Sequence, residues 1–230
     1  MKAFYDYDLA GAGEEFRRAL ALNPNSAMTH DWYSYYLLFF PRWDEAIAVQ
    51  RRAVQLDPLS IVFSTDLGWV LEHAGRYDEA TEHLGKALDL DPKNALLLGA
   101  LGMNYLFKGM YPEALAAFQE RAAVTNRDPE SLCMLVQVQA MSGDMTAALK
   151  TLKEMKDKVG YTSGQAWNFT IAYKALATRD KQFRDDSFRW LDKAYEEHAM
   201  GIVFISAVEW QPLRSDPRMI AFRKKLGLPS

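Results

Sequence analysis

The sequence predicts an all-helical fold, a solenoid of antiparallel helix pairs, and two observations support this prediction. The first is a period of 34 residues that recurs in three separate columns of small or helix-breaking residues. The alanine column consists of Ala12, Ala46, Ala80, Ala114 and Ala148. The proline column consists of Pro24, Pro58 and Pro92, and the glycine column of Gly75, Gly109 and Gly143. Self-similarity at a fixed period is typical of repeat architectures.

The second observation is that each period contains two helical stretches with a break between them. Apolar residues recur three and four positions apart in both halves, and residues at that spacing share one helix face. The glycine column lies between the halves, where a helix C-terminus commonly needs left-handed backbone. An Asp-Pro or Asn-Pro pair ends the second half, because the residue before proline avoids helical backbone. Each period is therefore predicted to be a helical hairpin.

Small residues predict how the hairpins pack. The alanine column, with Gly68 and Gly102 in the first helices, lets two helix backbones approach closely.

The period also predicts where each repeat begins and ends. Residues 1–25 form a half repeat with a truncated first helix, and full repeats follow at 26–60, 61–94 and 95–128. Divergent repeats span 129–162 and 163–200, the second with an insertion, and 201–230 form a C-terminal capping segment.

Composition and charge exclude several classes of function. The 230 residues carry 27 basic and 30 acidic side chains, so no excess of positive charge favours direct binding of nucleic acid. The single cysteine excludes a disulfide framework, and the four histidines have no metal-ligand spacing. No apolar run is long enough to span a membrane, and the stretch MKAFYDYDLAGAGEEF lacks the apolar run of a signal peptide. We therefore expect a cytoplasmic protein with no enzymatic activity, no metal and no cofactor.

One period carries a family resemblance. Leu98, Leu101, Gly102 and Tyr105, followed by Tyr111, Ala114 and Phe118, have the spacing of the tetratricopeptide repeat, which the chain resembles over about residues 1–200. The resemblance implies a right-handed superhelical solenoid. It also implies a protein–protein interaction scaffold that binds a peptide or protein segment in a concave groove lined by the first helix of each repeat.

The resemblance assigns a set of side chains to that groove. They are Met28, Asp31, Trp32, Tyr35, Phe39, Asp66, Trp69, His73, Met103, Phe107, Met134, Gln137, Met141, Trp167 and Asn168. Two interpretations stay open for each, because apolar stripes on helices are usually packed in a core, whereas Met- and aromatic-rich grooves suit adaptable peptide recognition. The basic clamp of the family's chaperone-binding members is absent. Asp31, Asp66 and Glu72 instead favour a partner with some positive charge.

A second resemblance concerns the two ends of the chain. FYDYDLAGAGEEF near the start and LRSDPRMIAFRKKLGLPS at the end resemble the C-terminal repeat regions of bacterial winged-helix transcriptional regulators and of related signalling kinases and adenylate cyclases. This resemblance implies, as an alternative function, the regulatory or sensor region of a larger protein. The half repeat leaves Phe4, Phe16 and Leu20 without their usual neighbour, because its first helix is truncated. We therefore expect either a longer protein or self-association through the N-terminal end.

Overall fold

The fold is entirely helical over the residues that the computed structural model describes, which are 11–38, 40, 42–160, 164–199, 201–202, 205 and 208–226. The helices within these ranges are α1 (Ala12–Leu22), α2 (Ala27–Leu38), α3 (Trp43–Leu56), α4 (Ile61–His73), α5 (Tyr77–Leu90), α6 (Ala95–Phe107), α7 (Tyr111–Val124), α8 (Pro129–Ser142), α9 (Met145–Val159), α10 (Ala166–Arg179), α11 (Arg184–Glu196) and α12 (Pro217–Lys225). Two short 3-10 helices span Lys181–Phe183 and Val208–Leu213. The predicted all-helical class is confirmed. None of the described helices has the length and apolar character needed to cross a membrane.

The predicted helix breaks are confirmed in both halves of the repeat. The glycines between paired helices have positive φ angles: +73° at Gly75, +74° at Gly109 and +95° at Gly143. The residues before the proline column leave the helical region, with φ of −139° at Asn23, −140° at Asp57 and −141° at Asp91. Each break therefore has a local cause in backbone sterics.

The chain divides into two compact units, 1–109 and 110–230, which we call unit 1 and unit 2. Unit 1 contains α1 to α6, with α2 packed on α3, α4 on α5, and α4 also on α3 and α6. Unit 2 contains α7 to α12, with α8 packed on α7 and α9, and α10 on α8 and α11. The division falls inside the predicted 95–128 repeat, and the repeat boundaries themselves stay a prediction.

The alanine column is buried among the packed helices of each unit. Ala46, Ala80, Ala114 and Ala148 are fully buried, and Ala12 is 7% exposed. In unit 1, Ala46 and Ala80 belong to a cluster that includes Leu37 and Val70. A larger side chain at these positions would separate the helices, because protein interiors have few voids. Gly102 is also buried, whereas Pro24, Pro58 and Pro92 lie exposed after the helix ends.

Gly68 shows the close approach directly. A Cβ atom built on Gly68 would lie 2.6–2.8 Å from three side-chain carbons of Leu84, which is itself buried. Gly85, in the middle of α5, would place a Cβ with nothing within 4 Å. The two glycines therefore differ in packing although both are helical.

We expect Gly68→Ala to destabilise the protein and Gly85→Ala to stabilise it. Both changes gain about 0.5–1 kcal/mol of helix propensity. At Gly68 an overpacking cost of about 1–3 kcal/mol exceeds that gain, because Leu84 has to move. Urea denaturation followed by circular dichroism measures both variants. An equal increase in stability at the two positions would contradict the close contact.

Helix α1 packs against α2 through aromatic and apolar side chains. Phe16 in α1 has its ring centroid 5.7 Å from that of Tyr33 and 5.8 Å from that of Tyr36. Leu20 packs against the same cluster of unit 1. Gly13 permits this contact, because a Cβ there would lie 2.5 Å from the Tyr36 hydroxyl. Helix α2 of the next repeat therefore supplies neighbours for Phe16 and Leu20, whereas the truncated first helix of the half repeat lies within residues 1–10, outside the described residues.

The C-terminal segment of unit 2 packs back on α10 and α11. Trp210 is 2% exposed, and its ring centroid lies 6.1 Å from that of Trp167 in α10. In α12, Phe222 meets the ring of Tyr195 edge-on at 5.7 Å. The described part of this segment therefore covers apolar surface of the last hairpin.

Candidate binding face

Three first helices of unit 1 bring most of the predicted groove residues together. Helix α2 packs against α4, and α4 packs against α6, so their side chains form one surface, which we call the unit 1 face. Its members are Met28, Asp31, Trp32 and Tyr35 from α2, Asp66, Trp69 and His73 from α4, and Met103 and Phe107 from α6. Phe39, also predicted for the groove, lies outside the described residues.

Four side chains on the unit 1 face form an aromatic row: Trp32, Tyr35, Trp69 and His73. Ring centroids are 6.2 Å apart between Trp32 and Tyr35, 5.0 Å between Tyr35 and Trp69, and 4.1 Å between Trp69 and His73. The ring planes are tilted, an arrangement that aromatic pairs prefer over a face-to-face sandwich. All four side chains are half-buried, so each keeps part of its surface accessible.

A carboxyl pair, Asp31 and Asp66, lies against this row. The two side chains are hydrogen-bonded to one another. The Tyr35 hydroxyl donates to Asp66 Oδ1, and Gln50 Nε2 donates to Asp31 Oδ1 at 2.9 Å. Ser34 Oγ in turn donates to Gln50 Oε1 at 2.6 Å. The network therefore ties α2, α3 and α4 together beneath the aromatic surface.

Burial controls the protonation of the pair. It raises the pKa of Asp66 to about 8, with the neighbouring Asp31 carboxylate as the second cause. Burial also raises the pKa of Asp31, against the lowering effect of the hydrogen bonds from Gln50 and Asp66. The pKa of Tyr35 lies well above its usual value because of burial and the nearby Asp66. At neutral pH Asp66 therefore holds a proton, which it can share with Asp31 through the hydrogen bond between them.

Sequence reasoning missed Gln50, which lies on a second helix outside the groove pattern. Gln50 is fully buried on the core-facing side of α3, among Ala46, Ile47 and Ala53. A polar residue within an apolar helix stripe has to find a hydrogen-bond partner. A glutamine at this apolar position of α3 could have indicated a buried polar network. It could not have indicated which carboxyl group accepts the hydrogen bond of Gln50.

The other predicted groove residues of the unit 1 face differ in how much of each side chain is exposed. Asp31 is 4% exposed, so the structure favours the core interpretation for its position. Met28 is 57% exposed and lies fully on the surface. Met103 and Phe107 are half-buried on α6.

The predicted groove residues of unit 2 take part largely in internal packing. Gln137 is 5% exposed and donates to Cys133 Sγ at 3.8 Å, and Cys133 Sγ donates to the Asn168 carbonyl oxygen at 3.2 Å. Trp167 packs against Trp210 of the C-terminal segment. Met134 and Met141 on α8, like Asn168 on α10, are half-buried. The structure favours the core interpretation for Gln137 and Trp167.

Unit 1 contains a serine–histidine contact whose geometry does not fit a catalytic pair. Ser64 Oγ lies 2.9 Å from His83 Nε2, beside a cavity of about 200 Å³ lined by Arg51, Glu79, Lys86 and His83. The same nitrogen lies 3.0 Å from the Ser64 carbonyl oxygen. A protonated Nε2 that donates to this carbonyl cannot accept the serine proton, so the contact is structural. Within the described ranges, no group of three or more His, Cys, Asp or Glu side chains could hold a metal ion.

Comparisons with known proteins agree with the helical hairpins. Residues 71–132 match the sequence profile described as the tetratricopeptide repeat. No curated protein matches the sequence. Three solved structures illustrate the likeness in fold. PilW, a widely conserved type IV pilus biogenesis factor, is 20% identical with a TM-score of 0.62, over 92% of this chain and 93% of that one.

The other two structures are less similar but have the same architecture. A thermophilic tetratricopeptide-repeat protein of Thermus thermophilus is 19% identical with a TM-score of 0.59, over 80% of this chain and 90% of that one. MamA from Desulfovibrio magneticus is 15% identical with a TM-score of 0.52, over 67% of this chain and 88% of that one. The chain is thus an all-helical repeat protein. Its fold is that of the tetratricopeptide-repeat solenoids, and 71–132 carries the sequence pattern of that repeat.

Proposed function

We propose that the protein is a non-catalytic interaction scaffold whose unit 1 face binds a segment of a protein partner. The observation that carries this proposal is the partly exposed aromatic row on α2 and α4. Partly accessible Trp and Tyr side chains are typical anchors of binding energy. The exposed Met28 adds a flexible apolar contact of the kind that adapts to different peptides.

The spacing of the three helices supports an extended segment as the ligand. Packed helices have axes about 8–10 Å apart, so the surface from α2 to α6 spans about 20 Å. An extended chain rises about 3.4 Å per residue, so a segment of about six residues would cross it. Such a segment would contact side chains from all three helices, which a small molecule would not.

Removal of the Trp69 ring is the direct test of this proposal. A random dodecapeptide library displayed on phage is panned against the whole chain, and selected peptides are measured by fluorescence anisotropy. We expect Trp69→Ala to weaken their binding about 30-fold or more, the loss of about 2 kcal/mol typical of an anchor residue.

Trp43→Ala is the matched control, because Trp43 is 36% exposed at the start of α3 and lies off the unit 1 face. Peptides whose affinity is unchanged by Trp69→Ala would overturn the proposal. If Trp69→Ala loses its circular dichroism signal, Met28→Ala provides the same test with an exposed side chain. Retained folding with lost binding separates the groove interpretation from the core interpretation.

Narrower expectations of the sequence are part of this proposal. The partner is a protein or peptide, and neither nucleic acid nor a membrane surface is proposed as a ligand. A regulatory role within a larger bacterial signalling or transcription protein rests on the resemblance of the chain ends, of which residues 1–10 lie outside the described residues. A cytoplasmic location and self-association through the N-terminal end stay predictions of the sequence.

A further inference from the structure

Resting on the proposed function, we propose that the bound segment presents an arginine whose guanidinium stacks on Trp69 and forms an ion pair with Asp66. The aromatic row alone would accept many apolar side chains, whereas the adjacent carboxyl group selects one that carries positive charge. That selectivity depends on the geometry of three side chains and on the charge of the helices that carry them.

The aromatic and acidic groups form one contiguous site. Tyr35 contacts both of the others, because its ring centroid lies 5.0 Å from that of Trp69 and its hydroxyl donates to Asp66 Oδ1. Asp66 and Trp69 are three residues apart on α4, so they are neighbours on one helix face. A cation within about 6 Å of the Trp69 ring would therefore also reach the Asp66 carboxyl.

Charge on the unit 1 face is complementary to a cation. The segments 27–38, 61–73 and 95–107 contain no lysine or arginine, whereas they contain Asp31, Asp66 and Glu72. Among the described residues, no lysine or arginine forms an ion pair with Asp31 or Asp66; the described partners are Tyr35, Gln50 and the two carboxyls themselves. A positive side chain from the partner would therefore meet carboxyl groups, and no lysine or arginine of these three helices would compete with it for them.

Guanidinium fits this site better than ammonium. Its plane stacks on an aromatic face, while its fork of donors matches a carboxylate. It is also more weakly hydrated than an ammonium, so it loses less on entering a half-buried surface. The raised pKa of Asp66 agrees with a carboxyl that has been removed from water without a cation beside it.

Binding would release a proton. Asp66 holds the shared proton of the carboxyl pair in the free protein, and an adjacent guanidinium favours the ionised form. The proton leaves to solvent, and the hydrogen bond from Tyr35 to Asp66 Oδ1 is retained, because the tyrosine hydroxyl remains the donor. A purely structural network would neither bind a cation nor release a proton.

The probe is N-acetyl-arginine amide, which is titrated into the whole chain. The readout is the NMR chemical shift of the indole N–H of Trp69. Trp69→Phe identifies that resonance among those of the six tryptophans. We expect a saturable shift with a dissociation constant on the order of 10 mM, which is typical of one cation–π contact and one exposed ion pair. N-acetyl-norleucine amide, which has an apolar side chain and no charge, should give no saturable shift.

Variants assign the effect to Asp66. We expect Asp66→Asn to weaken arginine amide binding at least about 5-fold, because it removes the carboxylate partner of the guanidinium. Asp57→Asn, at an exposed acid after α3, should leave the affinity unchanged. An equal response to the norleucine amide, or full affinity in Asp66→Asn, would overturn the inference. A stronger response to N-acetyl-lysine amide would overturn the choice of guanidinium.

The peptide library separates this inference from the proposed function. Trp69-dependent peptides enriched in arginine support both. Trp69-dependent peptides without arginine overturn the inference and leave the proposed function standing. A library that yields no Trp69-dependent peptide overturns the proposed function, while the titration with arginine amide still decides whether a guanidinium site exists.

Discussion

Ala46→Asp is expected to destabilise unit 1 by about 3 kcal/mol or more, enough to unfold a marginally stable unit. Ala46 is fully buried in the cluster with Leu37, Ile47 and Val70. An aspartate at this position would bring an unpaired charge among apolar side chains, and this is one of the few mechanisms that produce losses of this size. Urea denaturation of the whole chain, followed by far-ultraviolet circular dichroism, measures the change.

Ala48→Asp is the matched control, because Ala48 lies two residues further along α3 and is exposed. Both substitutions have the same cost in helix propensity, about 0.7 kcal/mol at most, so their difference reports burial. Equal stability of the two variants would show that the alanine column is not at a helix contact. Ala80→Asp, at the equivalent position on α5, should behave as Ala46→Asp does.

Local periodicity explains why so much of the fold could be predicted from the sequence. The glycines at 75, 109 and 143 and the residues before the proline column act on their own backbone, so the helix ends follow from sterics alone. The alanine column recurs in register with them, which pairs the helices. Neither inference depends on a residue distant in sequence.

The contacts that define the unit 1 face could not be predicted in the same way. The hydrogen bond from Gln50 to Asp31 joins residues 19 apart, and the one from Tyr35 to Asp66 joins residues 31 apart. Each depends on how two helices are rotated about their axes, which the repeat period does not specify. Trp167 shows the same limit, since the C-terminal segment covers a position that the pattern assigns to the groove.

Protonation of Asp66 makes the stability of the protein depend on pH. Its pKa is raised from 3.8 to about 8, so between these values the folded state binds a proton that the unfolded state has released. Stability from this group is therefore fully present below about pH 4 and is lost as the pH rises through about 8. We expect the free energy of unfolding of the wild type to fall over this interval relative to that of Asp66→Asn, which cannot ionise.

The difference between the two proteins is the informative quantity, because other groups also titrate. Burial lowers the pKa of His83, so that group acts in the opposite direction, increasing stability as the pH rises through its usual range. His83 is unchanged in Asp66→Asn, and its effect cancels in the difference. Asp31 and Tyr35 from α2 face Asp66, and α3 contributes the neutral Gln50.

Urea denaturation at a series of pH values, with Asp57→Asn as a second control, measures this difference. Asp66→Asn should become the more stable protein at alkaline pH, where the wild type buries two adjacent carboxylates. Parallel curves for the wild type and Asp66→Asn would show that the carboxyl pair holds no shared proton. If the curves diverge as expected, addition of N-acetyl-arginine amide should reduce the divergence, because a bound guanidinium stabilises the ionised pair at the pH where repulsion is greatest.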